Sequence, residues 1–126
     1  MKEFLKYNLL SIAWGLLILI LCLLPGKDIP SLTIFEYDKV VHFLIYVVLA
    51  FLMYYGWKKQ NAFLLLHKQT LLKILLITSA YGFLVEVLQE LLTTDRHFDI
   101  FDALANSLGA VGGSWFAPRL KKFFRL

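Results

Sequence analysis

The chain is poor in residues that build a compact secreted domain. It has 126 residues but a single cysteine, Cys22, and only three prolines. One cysteine excludes an internal disulfide framework and any site built on paired cysteines. Charged residues make up 17% of the sequence, whereas soluble domains carry about a quarter. Ser/Gly-rich linkers, low-complexity tracts and sequence repeats are also missing, so we expect one domain spanning residues 1–126.

Several catalytic signatures are absent from the sequence. There is no H-E-x-x-H pair, no Walker-type glycine loop and no G-x-S-x-G elbow. The R-P and P-S-G-H patterns of lipid phosphatases are missing, as is the Asp-rich run of CDP-alcohol phosphotransferases. We therefore expect no enzyme of these classes and no cofactor, and no motif predicts a metal site, while an enzyme of another class stays open. The basic residues flank apolar blocks instead of forming an aromatic-interleaved stripe, so we expect no nucleic-acid partner.

What the chain does contain is hydrophobic residues, at 60% of the sequence, gathered into blocks. A membrane-spanning helix needs about 20 apolar residues, and four blocks approach that length. The first block follows Lys2 and Lys6 without a small-x-small cleavage site, which favours an uncleaved span. The prediction is an all-α integral membrane four-helix bundle whose short connections make neighbouring spans antiparallel. The predicted spans are 8–24, 40–57, 71–92 and 100–117.

The distribution of charge predicts an orientation for this bundle. Of the 13 Lys and Arg residues, ten lie at the two termini, between spans two and three or, for Lys73, in the first turn of span three. Lys27, Lys39 and Arg96 lie on the other side. Cytoplasmic segments carry the excess of Lys and Arg, so both termini should be cytoplasmic. Every acidic residue except Glu3 then falls in the extracytoplasmic half.

Three spans carry a polar stripe at the end predicted to face outward. Residues three or four apart share one face of a helix, and charged groups inside a membrane usually face a bundle interior or cavity. Packing the stripes together would form a polar pocket that opens to the extracytoplasmic leaflet. The stripe residues are Asp38, His42 and Tyr46 on span two, Glu86 and Gln89 on span three, and Asp99, Asp102, Asn106, Gly109 and Gly113 on span four.

Structural explanations stay open for several of these residues. Gln89 and Asn106 are amides that can serve as interhelical hydrogen-bonding groups. Asp99 stands where span four would need an N-cap, and Lys39 can snorkel to the lipid interface. Tyr46 is also compatible with a core or interfacial aromatic residue. A purely structural role fits Glu86 and Asp102 less well, because both are ionisable and charge is costly in hydrocarbon.

The motifs resemble those of the VanZ-like family of small bacterial multi-pass membrane proteins. The resemblance covers spans two to four and implies a multi-pass protein of the bacterial cytoplasmic membrane. The founding member is associated with low-level resistance to the glycopeptide teicoplanin, which implies a role in the cell envelope. The matching segments are Asp38-Lys39-x-x-His42-Phe43-x-x-Tyr46, Glu86-x-x-Gln89 and Arg96-x-x-Asp99-x-x-Asp102-x-x-x-Asn106-x-x-Gly109-x-x-x-Gly113.

The leading functional hypothesis is binding of a lipid headgroup, from a membrane lipid or a polyprenyl-linked envelope precursor. Arg96 and Lys39 would hold phosphate. The remaining predicted ligand-binding residues are Asp38, Tyr46, Gln89, Asp99 and Asn106.

Three other hypotheses stay open. A membrane enzyme would use His42, Glu86 and Asp102 for acid–base catalysis on the headgroup. A divalent cation could be held by carboxylate oxygens, although no spacing signature favours it. A structural subunit or homo-oligomer would use Gly109 and Gly113, which allow close approach of another helix backbone.

Overall fold

The computed structural model describes residues 1–23, 38–92 and 100–123, without the side chains of 38, 39, 121 and 123. These ranges contain four long helices and one 3₁₀ turn, at Leu64–His67, and no strand. The all-α prediction is therefore confirmed. The helices are α1 (Lys2–Leu23), α2 (Asp38–Lys59), α3 (Thr70–Leu92) and α4 (Ile100–Phe123).

Three of the described helices are long and apolar enough to cross a membrane: α1, the Val40–Lys59 part of α2, and α3. Helix α4 is as long as the others, with 24 residues. Its lower hydropathy follows from polar residues along one side, among them Asp102, Asn106 and Ser114. The position of α4 as a fourth span and the cytoplasmic location of the termini stay predictions.

Helices α2 and α3 form the middle of the bundle. Helix α2 packs most extensively on α4 and also contacts α1 and α3, while α3 contacts both α1 and α4. Within the described ranges, α1 and α4 do not contact each other. The two outer helices therefore lie on opposite sides of a central pair.

Contacts near both ends of neighbouring helices show in which direction each helix runs relative to the next. Residues early in one helix meet residues late in the next, so successive helices are antiparallel, as predicted. The contacts are Asn8 with Gly56 and Trp14 with Ile45 for α1 and α2, and Thr78 with Met53 and Glu86 with His42 for α2 and α3.

Glycines form the contact between α2 and α4, which run parallel. A Cβ at Gly109 would collide with the Phe43 carbonyl oxygen, and a Cβ at Gly113 would collide with the Val47 carbonyl oxygen. The missing side chains thus allow α4 to approach the backbone of α2 directly. Both glycines of the predicted motif face a helix of the same chain.

The bundle is apolar outside and partly polar inside. Large hydrophobic side chains such as Leu10, Ile20 and Leu76 are exposed along the helices, whereas Thr78 and Asn106 are fully buried. A soluble protein rarely exposes so much apolar surface. The hydrocarbon of a membrane would cover such a surface favourably. This arrangement supports a membrane location for the described helices.

Candidate functional site

Helices α2, α3 and α4 bring four polar side chains together. His42 lies in the second turn of α2, and Asp102 lies in the first turn of α4. Glu86 lies about 9 Å from the end of α3, at 1.5 Å rise per residue, and Asn106 is one turn beyond Asp102. All four are buried. We refer to these four residues as the polar cluster.

The distances within the polar cluster are short. Nδ1 of His42 lies 2.8 Å from Oδ1 of Asn106 and 3.6 Å from Oε1 of Glu86. His42, Glu86 and Asp102 each present one potential ligand atom, and these three atoms lie within 4.8 Å of one another. Three separate helices therefore contribute ionisable groups to a single site.

The contact with Asn106 determines where the proton sits on the His42 ring. An amide oxygen can only accept a hydrogen bond, so Nδ1 donates to Oδ1 of Asn106. In the neutral ring, the second nitrogen, Nε2, then carries the lone pair. The orientation of Asn106 thus selects one tautomer of His42.

Glycine on α3 makes room for Asn106. A Cβ at Gly82 would lie only 2.8 Å from Cβ of Asn106, closer than packed carbon atoms approach. Gly82 is one helical turn before Glu86 on the same face of α3. The sequence Gly82-x-x-x-Glu86 therefore lets α4 pack closely at the point where the carboxylate meets His42.

Tyr46 continues the α2 stripe one turn beyond His42. Its side chain is fully buried, and its ring centroid lies 6.5 Å from that of Tyr81. Within the described ranges, neither the Tyr46 hydroxyl nor Nδ2 of Asn106 has a hydrogen-bond partner. Because buried polar groups are normally satisfied, these two groups retain unused hydrogen-bonding capacity beside the cluster.

Gln89 makes a contact between helices. Its Nε2 donates a 2.7 Å hydrogen bond to the carbonyl oxygen of Cys22, which lies in the last turn of α1. Carbonyls in the last turn of a helix lack a partner within that helix. Gln89 therefore joins α3 to the outer end of α1.

Four further predicted ligand-binding residues cannot be placed around the polar cluster. Arg96 and Asp99 lie outside the described residues. Asp38 and Lys39 belong to the first turn of α2, and their side chains are outside the described part of the chain. Their predicted contacts stay predictions.

A crevice with a volume of about 350 Å³ lies between α1, α2 and α3, away from the polar cluster. Its lining is mostly apolar, with Asn8, Ser11 and Thr78 as polar members. Asn8 and Ser11 donate to carbonyl oxygens of their own helix, those of Phe4 and Asn8 respectively. These three residues were not among the predicted site residues, although each is an isolated polar residue within an apolar span.

A family model described as VanZ/LLP1 matches residues 3–122. The chain belongs to the VanZ/LLP1 family. Searches of curated proteins and of solved structures found no match. The VanZ/LLP1 match confirms the family resemblance, and it includes every residue of the polar cluster.

Proposed function

We propose that this VanZ/LLP1 protein binds the polar headgroup of a membrane amphiphile at the polar cluster. The ligand would be a phospholipid or a polyprenyl-linked envelope precursor. The observation that carries the proposal is the burial of His42, Glu86 and Asp102 together, from three helices, near the helix ends. Helix ends lie close to the headgroup level of a bilayer.

The energetic cost of these residues supports a working site over a structural one. Placing a charged side chain at the centre of a membrane helix costs roughly 2.5–3.5 kcal/mol on insertion scales. Hydrogen bonds between membrane helices contribute only about 0.6 kcal/mol on average. Amides and hydroxyls would join the helices at lower cost than Glu86 and Asp102, so a role beyond helix packing is favoured.

The proposed ligand follows from the charges around the cluster. The carboxylates of Glu86 and Asp102 suit hydroxyl or amine groups, and the predicted partners for phosphate are Arg96 and Lys39. We place the protein in the bacterial cytoplasmic membrane, with the cluster in the extracytoplasmic leaflet. An envelope amphiphile also agrees with the association of the family with teicoplanin resistance.

Mass spectrometry of lipid retained by gently purified protein tests this proposal. Glu86→Gln should reduce the retained lipid strongly while the variant still folds in membranes. Glu90→Gln is the matched control, because Glu90 is an exposed residue one turn further along α3. Arg96→Ala should behave like Glu86→Gln. Unchanged lipid content in both Glu86→Gln and Arg96→Ala would contradict headgroup binding.

A second candidate function is headgroup modification with His42 as the base. It is favoured by the hydrogen bond from Nδ1 to Asn106, which leaves the lone pair on Nε2 of the neutral ring. An orienting partner on the other ring nitrogen is typical of catalytic histidines. His42→Ala should then retain lipid but abolish its conversion in vesicles made from a bacterial lipid extract. Equal conversion by His42→Ala and the wild type would exclude this role.

A further inference from the structure

The polar cluster combines one imidazole with two carboxylates, which is a donor set suited to a metal ion. We infer that His42, Glu86 and Asp102 bind one divalent first-row transition metal ion, with Oδ1 of Asn106 as a fourth ligand. Imidazole and carboxylate together favour ions such as Zn²⁺ over Mg²⁺ and Ca²⁺, which prefer oxygen ligands alone. The metal site would stand even if no headgroup binds.

The spacing of the donor atoms agrees with such a site. With metal–ligand bonds of about 2.0–2.2 Å, neighbouring ligand atoms lie roughly 2.8–3.6 Å apart in tetrahedral or octahedral geometry. The distances from Nδ1 of His42 to Asn106 and Glu86 are 2.8 Å and 3.6 Å. The ligand atom of Asp102 lies at most 4.8 Å from those of His42 and Glu86. This upper limit exceeds the expected range by about 1 Å, a difference that a change in a side-chain torsion angle can close.

The electrostatics of the cluster point to the same species. The carboxylates of Glu86 and Asp102 supply anionic oxygen ligands of the kind that divalent cations bind. Metal coordination by His42 would place the ring proton on Nε2 in place of Nδ1, so the ring stays neutral. Coordination at Nδ1 would thus replace the hydrogen bond that this nitrogen donates to Asn106 in the structure.

Two further buried groups indicate a ligand at this place. The Tyr46 hydroxyl and Nδ2 of Asn106 are fully buried and lack hydrogen-bond partners within the described ranges. A water molecule bound to the metal would provide a partner of the kind these groups lack.

Metal titration of the full chain in detergent tests the inference. Protein stripped with a chelator is titrated with Zn²⁺ and, separately, with Mg²⁺, and its metal content after desalting is measured by mass spectrometry. The wild type should retain about one Zn²⁺ per chain and bind Mg²⁺ much more weakly. Absence of Zn²⁺ retention, or equal affinity for Mg²⁺, would overturn the inference.

Variants and spectroscopy identify the ligands. Glu86→Gln and Asp102→Asn should each lower Zn²⁺ affinity by at least about tenfold, whereas Glu90→Gln should match the wild type. X-ray absorption of the wild-type Zn²⁺ protein should show one imidazole with oxygen ligands, a readout that does not depend on the folding of any variant. A spectrum without imidazole, or wild-type affinity in a folded Glu86→Gln variant, would overturn the site. Lipid retention of the chelated protein is measured separately, so failure of the metal site and failure of headgroup binding are distinguishable.

Discussion

Nδ1 of His42 and Oδ1 of Asn106 lie 2.8 Å apart although the two residues are 64 positions apart in sequence. The contact joins α2 to α4, the most extensively packed pair of helices in the bundle. It orients the imidazole for a role as base or headgroup contact, and coordination of a metal at Nδ1 would replace it. Residues that set this contact should therefore affect stability and ligand binding together.

Removing the Asn106 amide should destabilise the protein. Asn106→Ala leaves the His42 Nδ1 donor without its acceptor in a buried place, which costs roughly 1–3 kcal/mol. Thermal unfolding in detergent should show a lower midpoint for this variant. Ser107→Ala, at the neighbouring and less buried position, is the control and should unfold near the wild-type midpoint. An unchanged midpoint for Asn106→Ala would contradict a structural contribution from this hydrogen bond.

Gly112 and Gly113 should differ sharply in their tolerance of a methyl group. Gly113→Ala places a Cβ against the Val47 carbonyl oxygen, whereas a Cβ at Gly112 would meet its nearest atom, in the Phe43 ring, at 3.5 Å. Overpacking of this kind costs roughly 1–3 kcal/mol, so Gly113→Ala should lower the unfolding midpoint and Gly112→Ala should not. Equal midpoints for the two variants would show that α4 does not approach α2 as closely as described.

Loss of the Gln89 amide should loosen the outer end of α1. Gln89→Leu removes the hydrogen bond to the Cys22 carbonyl, which is worth about 0.5–1.5 kcal/mol. Hydrogen exchange should then become faster in the last turns of α1 and stay unchanged at its start. Uniform exchange along α1 in both proteins would argue against this contact.

Cysteine labelling tests the predicted orientation of the bundle. In a Cys22→Ser background, Leu64→Cys in the exposed 3₁₀ turn should resist a membrane-impermeant thiol reagent until the cells are opened. Thr94→Cys, in the segment predicted to be extracytoplasmic, should react in intact cells. The reverse labelling pattern would place the termini outside and the polar cluster in the cytoplasmic leaflet.

The helices were predictable because apolar blocks of membrane length leave few alternatives. The ends of the helices were less predictable. Helix α1 begins at Lys2, well before the predicted start at residue 8. Backbone hydrogen bonds continue through its polar first turn, as the 3.0 Å bond from Leu5 N to the Met1 carbonyl shows. Hydropathy measures preference for lipid, whereas a helix continues as long as its backbone groups are satisfied.

The similar depth of His42, Glu86 and Asp102 was predictable from their distance to the helix ends at 1.5 Å rise per residue, and the spacing of three and four residues defined the face of each helix. The hydrogen-bond partner of His42 was not predictable from the sequence. Spacing specifies a face of each helix but not how far each helix is rotated against its neighbour, and that rotation decides that Asn106 meets His42. The proximity of the three ionisable donors proposed for a metal was not evident for the same reason, since His42, Glu86 and Asp102 come from different helices and no local motif contains two of them.

The packing of α4 has a consequence for how the protein is made. Helix α4 is the most hydrophilic of the four helices, and within the described ranges it contacts α2 and α3 but not α1. Because α2 and α3 precede α4 in the chain, both helices that contact α4 are synthesised before it. Helix α4 should partition poorly into the bilayer when it is presented alone to the insertion machinery, and efficiently when α2 and α3 precede it. Equal insertion of the isolated and the preceded segment would show that α4 enters without help from earlier helices.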